Sequence, residues 1–142
     1  MSSDSTLIVS SCKFSFFSPM YILYMICVQN HSHRPLAASD MWVLDISGGI
    51  DRLRWFQPPV RGTPPGPCNM HSADFIPSRG EIYVFRGGNG REYLNDLHAL
   101  DTTTYVWRTV ETTGVAPQQR ANHSSAVLEW NGKTELFVFG GW

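Results

Sequence analysis

Two histidine–serine pairs carry side chains suited to acid–base chemistry: His71 beside Ser72, and His123 beside Ser124. A general base must lie within hydrogen-bond reach of the proton it takes, so each histidine would need a nucleophile or second carboxylate there. The pairs sit 52 residues apart, at equivalent points of a repeating pattern. Chemistry rarely needs the same histidine once per repeat, whereas structure often does, and both are read as structural. Gly87-Gly88-Asn89-Gly90 has the composition of a phosphate-cradling loop. It lacks the G-x-x-x-x-G-K-[ST] spacing, and no helix is expected after it to bind an anion, so it reads as a turn at a strand end. His31 and His33 offer two imidazoles, but no further close ligand completes a metal site. No catalytic, cofactor-binding or metal-binding residue is assigned, and no cofactor is expected.

The elements that position these residues repeat. Trp55, Gly62, Pro65, His71 and Ser72 recur 52 residues later as Trp107, Gly114, Pro117, His123 and Ser124. Upstream the offset is 56, pairing Asp40, Leu44 and Asp45 with Asp96, Leu100 and Asp101. Downstream it is 53 to 54, pairing Tyr83-Val84-Phe85 with Phe137-Val138-Phe139 and Gly87-Gly88 with Gly140-Gly141. The drift falls at turns, where insertions are tolerated. One unit holds four short segments, 71–76, 81–85, 97–101 and 105–110, rich in Val, Ile, Tyr, Phe and Trp and bounded by Gly, Pro, Asn and Thr. They read as strands, and no helical apolar period competes with them. Trp55 and Trp107 are expected to pack between units, and Asp45 and Asp101 to cap the turns after the third strand.

A repeat of about 50 residues with four strands is the signature of a kelch-type propeller blade. Residues 40–142 resemble the kelch repeat family on Arg120, His123-Ser124, the apolar second strand ending in Gly-Gly, Asn95-Asp96, Leu100-Asp101 and Trp107. Three features depart from the pattern. Cys68 stands where Arg120 predicts arginine, Arg86 is inserted between Phe85 and the glycines, and the sequence stops at Trp142, one residue after its final Gly-Gly. The expected fold is all-β: a partial kelch-type β-propeller with one complete four-stranded blade (71–110) and two half blades (40–57 and 122–142). An irregular apolar N-terminal segment, 1–39, precedes it and is read as non-kelch or degenerate. Propellers use 4 to 8 blades, so the chain is expected to be part of a longer protein or an incomplete product. Unpaired blade edges would invite self-association.

The N-terminal segment is read three ways. Phe14 to Val28 is apolar but shorter than the span of about 20 residues that a membrane helix needs. Only Lys13 precedes it as a positive charge, and no small-x-small cleavage site follows, so a signal peptide is poorly supported. The repeat instead places Tyr21 to Val28 near the second strand of a preceding blade. The three cysteines, Cys12, Cys27 and Cys68, are odd in number and lack C-x-x-C spacing. This argues against a disulfide framework and for a reducing, cytoplasmic location, with a secreted protein as the alternative. The sequons at Asn30 and Asn122 would suit that alternative, although the repeat itself accounts for the second.

Net charge is −1 and the arginines are dispersed, so no nucleic-acid partner is expected. Some kelch-type propellers are copper radical oxidases similar to galactose oxidase. The spacing of Tyr83, Tyr93, Tyr105 and Cys68 does not resemble their copper site, and an enzyme is not expected. Resemblance to the family implies a protein-interaction module with protein partners, and the sequence names none of them. In a four-stranded blade, the loop after the second strand (86–95) and the linker after the fourth (112–119) emerge on one face. Asn89, Arg91, Glu92 and Tyr93 are the candidate partner-binding residues there.

Overall fold

Short runs that alternate in hydrophobicity between glycine and proline breaks make strands, and strands dominate this chain. The computed structural model describes residues 15–17, 22–25, 41–45 and 47–142. The first sheet runs in order β1 (Ser15–Phe17), β2 (Ile22–Met25), β3 (Trp42–Asp45), β4 (Arg54–Phe56), all neighbours antiparallel. A single 3-10 turn, Ile50–Arg52, lies between β3 and β4. The second sheet is built on β6 (Ser72–Ile76), β7 (Glu81–Phe85), β8 (Leu97–Asp101) and β9 (Val106–Thr109), with β5 (Arg61–Gly62) added beside β9. A hairpin, β10 (Ser124–Trp130) and β11 (Lys133–Phe139), completes the described structure.

Two features differ from the expected blade count. The half blade at 40–57 is one half of a four-stranded sheet, because apolar residues upstream supply its other strands. Leu23 of β2 lies opposite Leu44 of β3, and Tyr24 opposite Val43. No glycine pair is needed to end β2, because pairing depends on the strand and not on the turn that follows it. The complete blade has a fifth strand. Gly62 has φ +84°, and a Cβ there would lie 2.1 Å from the carbonyl oxygen of Trp107. Only glycine lets the linker approach this closely, so β5 runs parallel to β9 and covers its edge. The expectations for Cys12, Cys27, Asn30, His31 and His33 lie outside the described residues. Among the described residues, no helix is long and apolar enough to cross a membrane.

Strand alternation sorts the side chains into two cores. Val43 of the first sheet packs on Ala73, Ile82, Val84, Leu100 and Trp107 of the second, with Met41 and Cys68. The opposite face of the second sheet, with Ile76, Tyr83 and Ala99, packs on Val127 and Leu136 of the hairpin. Three layers therefore enclose two cores. Trp107 is 1% exposed within the first core, but its repeat mate Trp55 is 47% exposed. The expectation that both tryptophans pack between units fails for Trp55. It lies on the outer face of the first sheet, where no described layer covers it.

The aspartate turns form as expected. Asp101 Oδ1 accepts the backbone N–H groups of Thr103 and Thr104, both at 2.8 Å. Asp45 Oδ1 accepts the N–H of Ser47 at 2.9 Å and its hydroxyl at 2.6 Å. Both carboxyls are held below the usual aspartate value, Asp101 chiefly by the Thr104 N–H and Asp45 chiefly by the Ser47 hydroxyl. Asp101→Ala is expected to cost about 1 kcal/mol, the net worth of such bonds, measured as a lower urea midpoint at unchanged slope.

Candidate binding cleft

The β7–β8 connection is shaped by backbone contact with the linker before β6. Gly87 packs against that linker so closely that a Cβ would lie 2.2 Å from the carbonyl oxygen of Asn69 and 2.4 Å from that of Met70. The first glycine of the pair serves close approach, whereas Gly140 and Gly141 take φ of +70° and +82°. Asn69 and Gly88 exchange two backbone hydrogen bonds, at 2.8 and 3.0 Å. Beyond Gly88 the chain turns on Asn89. Its Oδ1 accepts the N–H groups of Arg91 and Glu92, each at 2.9 Å. Its Nδ2 donates to Glu92 Oε1 at 3.3 Å. Leu94 N then returns to Gly87 O at 2.9 Å and closes the loop.

This loop and the 69–70 segment enclose a cleft of about 440 Å³, lined by Asn69, Met70, Gly88, Gly90, Arg91, Glu92 and Tyr93. Arg91, Glu92 and Tyr93 are exposed. Asn69 is buried, and its Oδ1 meets no hydrogen-bond donor. A buried acceptor without a donor is costly in a folded chain and marks a position where a ligand group can supply one. Met70 holds φ at +51°, matched at its repeat mate Asn122 with φ +56°. Asparagine tolerates this left-handed conformation better than methionine, so the strain falls at the cleft. The Met70 carbonyl accepts the Asn122 N–H at 2.9 Å, which ties the cleft wall to the start of the hairpin unit.

The 112–119 linker lies beside the loop, as the blade topology predicts. Asn95 Nδ2 donates to the Pro117 carbonyl at 2.9 Å, and Arg120 N to Leu94 O at 3.2 Å. A polar cluster underpins the loop where it rejoins β8. Asp96 Oδ2 accepts Arg86 Nη1 at 2.8 Å and lies 2.7 Å from His98 Nε2. Burial pushes the Asp96 carboxyl up. The hydrogen bonds from Arg86 and His98 and the Arg86 charge outweigh that and hold it below the usual value.

Three of the four candidate residues thus line one cleft. Asn89 does not; its amide is committed to the turn that presents the other three. Sequence reasoning missed Asn69 and Met70, which come from a different element. Their only advance signal was their place directly before His71, where Met70 matches Asn122. The Arg86–Asp96–His98 cluster was missed as well, although Arg86 stood out as an insertion.

The histidine–serine chemistry resolves into packing. His123 Nε2 lies 2.9 Å from Ser72 Oγ, in the next layer and not beside it in sequence. Both residues are buried, and Phe85 meets the His123 ring edge-on at 5.0 Å. No substrate can reach that pair without separating the layers. Among the described residues, no group of three or more His, Cys, Asp or Glu side chains is placed to hold a metal ion.

The model of the KLHDC2/KLHL20/DRC7 Kelch-repeats domain matches residues 21–142. Host cell factor 2 of Homo sapiens is 29% identical over 117 residues, covering 80% of this chain and 14% of that protein. Kelch domain-containing protein 3 of Homo sapiens is 36% identical over 95 residues, covering 65% of this chain and 23% of that protein. Kelch domain-containing protein 1 of Mus musculus is 35% identical over 89 residues, covering 61% and 21%. The chain spans less than a quarter of the length of these relatives.

Proposed function

The chain belongs to the kelch-repeat family, and from that premise we infer that it is a protein-interaction module of a larger scaffold or adaptor. The cleft beneath the β7–β8 loop is its contact surface. The observation that carries this reading is the pairing of exposed Arg91 and Tyr93 with the buried, donorless Asn69 Oδ1 in one cleft. Arginine and tyrosine supply large contact area and directional hydrogen bonds, and they are enriched among residues that dominate interfaces. The loop is preorganised by Asn89 and by its bridge to Asn69, so little ordering cost remains on binding. The occupant is a protein segment that brings a hydrogen-bond donor to Asn69 and an acceptor to Arg91. A binding role and not a catalytic one is supported by the burial of His123 and its partner Ser72 between layers.

Arg91→Ala combined with Tyr93→Ala is expected to weaken partner capture at least tenfold, equivalent to about 1.4 kcal/mol. Both side chains are exposed, so the melting temperature should not move. Quantitative affinity capture with the native and doubly substituted chains checks this, and equal recovery of every native-specific partner would sink the reading.

A further inference from the structure

Within the cleft, an acceptor and an aromatic ring face the same gap. A Cβ placed on Gly88 would lie 3.1 Å from Asn69 Oδ1 and 3.7 Å from Tyr93 Cδ1. The gap between them is open because residue 88 has no side chain. Asn69 is 8% exposed and Tyr93 41%, so the acceptor is the recessed end and the ring the open one. No donor reaches Asn69 Oδ1 from the chain itself. Arg91 and Glu92 line the same cleft with opposite charges. One carboxylate oxygen of Glu92, Oε1, already takes the Asn89 amide at 3.3 Å.

These groups select by chemistry. An ionised carboxylate carries only acceptors and would set one of them against Asn69 Oδ1. An ammonium would donate there, but it would leave water for a neutral oxygen in a cleft that also holds the Arg91 guanidinium. A neutral group that donates and accepts at once suits both ends: its N–H meets Asn69 Oδ1, and its carbonyl meets Arg91. A carboxamide does this and adds a planar face to lie on the Tyr93 ring, which a hydroxyl lacks. We propose that the recessed part of the cleft is a pocket for the side-chain amide of a glutamine in the partner segment. The two methylenes of glutamine carry its amide past the ring to Asn69. A backbone peptide group is flanked by its own Cα substituents and stops at the mouth. The proposal rests on the reading of the cleft as the contact surface and adds which side chain that surface selects.

Nuclear magnetic resonance titration of the whole chain tests it, with the Nα-acetyl methylamides of glutamine, glutamate, lysine and serine as probes. All four carry the same backbone amides, so only the side chain differs. The glutamine probe is expected to shift the Asn69 side-chain amide and the Gly88 and Tyr93 backbone amides saturably. It should bind at least about tenfold more tightly than the others, the worth of one buried hydrogen bond. Gly88→Ala plugs the gap. Gly88 does not hold a positive φ, so alanine suits its backbone, and the Asn69 side chain has only to yield by a few tenths of an ångström. Asn69→Leu keeps a branched shape and removes a buried oxygen that has no donor, so it should fold at least as stably as the native chain. Each variant is expected to lose the glutamine preference without a lower melting temperature. They remove the pocket in different ways, so either one that folds suffices. Equal binding of all four probes would assign the acceptor to a backbone amide and overturn the proposal. Tighter binding of glutamate, lysine or serine would overturn it too, as would no saturable shift from any probe, or a glutamine preference that survives Asn69→Leu. Partner capture by the Arg91/Tyr93 variant tests the contact surface separately. Lost capture with no glutamine preference keeps the surface and discards the amide pocket, whereas unchanged capture with a glutamine preference does the reverse.

Discussion

Trp107→Ala is expected to destabilise the chain by about 3–5 kcal/mol, the range for removing a large aromatic side chain from a core. Trp107 is the largest fully buried side chain among the described residues, and it packs with Val43, Ile82, Val84 and Leu100 where two sheets meet. Folded domains of this size are stable by only about 5–15 kcal/mol, so the loss should remove much of the cooperative transition. Urea unfolding followed by tryptophan fluorescence and by far-ultraviolet dichroism measures it. The informative control is Trp55→Ala. The residue type and the repeat position are the same, but Trp55 is 47% exposed. At concentrations where the chain is monomeric, its cost should stay below about 1 kcal/mol, the usual limit away from cores. Equal costs for the two would mean that the first sheet is covered in solution. Trp107→Phe should cost less than Trp107→Ala for a second reason. The indole N–H of Trp107 is buried without an acceptor, and phenylalanine removes that unsatisfied donor along with part of the area.

The contrast between the two tryptophans shows what was legible in the sequence. Strands β6 to β9 were read to within one residue, because a period of two between glycine and proline breaks reflects local backbone chemistry. The turns at Asp45 and Asp101 were legible for the same reason, since a side chain bonding two or three residues ahead needs no tertiary context. The repeat shows which position a tryptophan holds, but not whether another layer lies over it. Burial of Trp55 depends on a neighbour, and no pattern within residues 52–56 encodes one. The short β5 escaped notice because two residues display no period, and its pairing rests on Gly62 alone. In the cleft, Arg91, Glu92 and Tyr93 were legible as loop residues on a rigid strand pair. Asn69 and Met70 were not, because they reach the site only through the backbone bridge to Gly88. Two of the three departures from the repeat, Cys68 and Arg86, prove to be spatial neighbours. Cys68 is buried in the first core, where its mate Arg120 instead bonds the Gly140 carbonyl at 2.8 Å. The inserted Arg86 reaches the Pro67 carbonyl, at 3.5 Å, directly beside that cysteine. A guanidinium thus stands near the same corner of both units, delivered from different segments of the chain.

Asp96→Asn is expected to cost roughly 2 kcal/mol at neutral pH and to blunt the acid sensitivity of the chain. The Arg86 and His98 side chains are 15% and 7% exposed, and both direct hydrogen bonds at the Asp96 carboxylate. Removing its charge leaves the Arg86 guanidinium largely buried beside a neutral amide. The Arg86 Nε has no acceptor of its own to compensate. The cost falls short of the 3–5 kcal/mol of a fully buried pair because the Asp96 side chain keeps 35% of its exposure, and water screens part of the interaction. The pH dependence follows from the direction of the shift. The folded chain holds the Asp96 carboxyl below its unfolded value, so the carboxylate stabilises the fold fully above that unfolded value, near pH 4. The stabilisation is lost as pH falls toward and through the lower folded value. Asp96→Asn should therefore flatten the acid limb of stability against pH while leaving its shape above pH 5 unchanged. Because the loop carrying Arg91 and Tyr93 leaves the sheet at Arg86 and returns at Asp96, the substitution should also weaken partner capture in proportion to its loosening of the loop. Hydrogen exchange of the Glu92 and Leu94 amides reads that directly: faster exchange in the variant with the β7–β8 strands still protected is the expected result. Unchanged loop exchange together with an unchanged acid limb would show that the cluster neither supports the loop nor contributes to the fold.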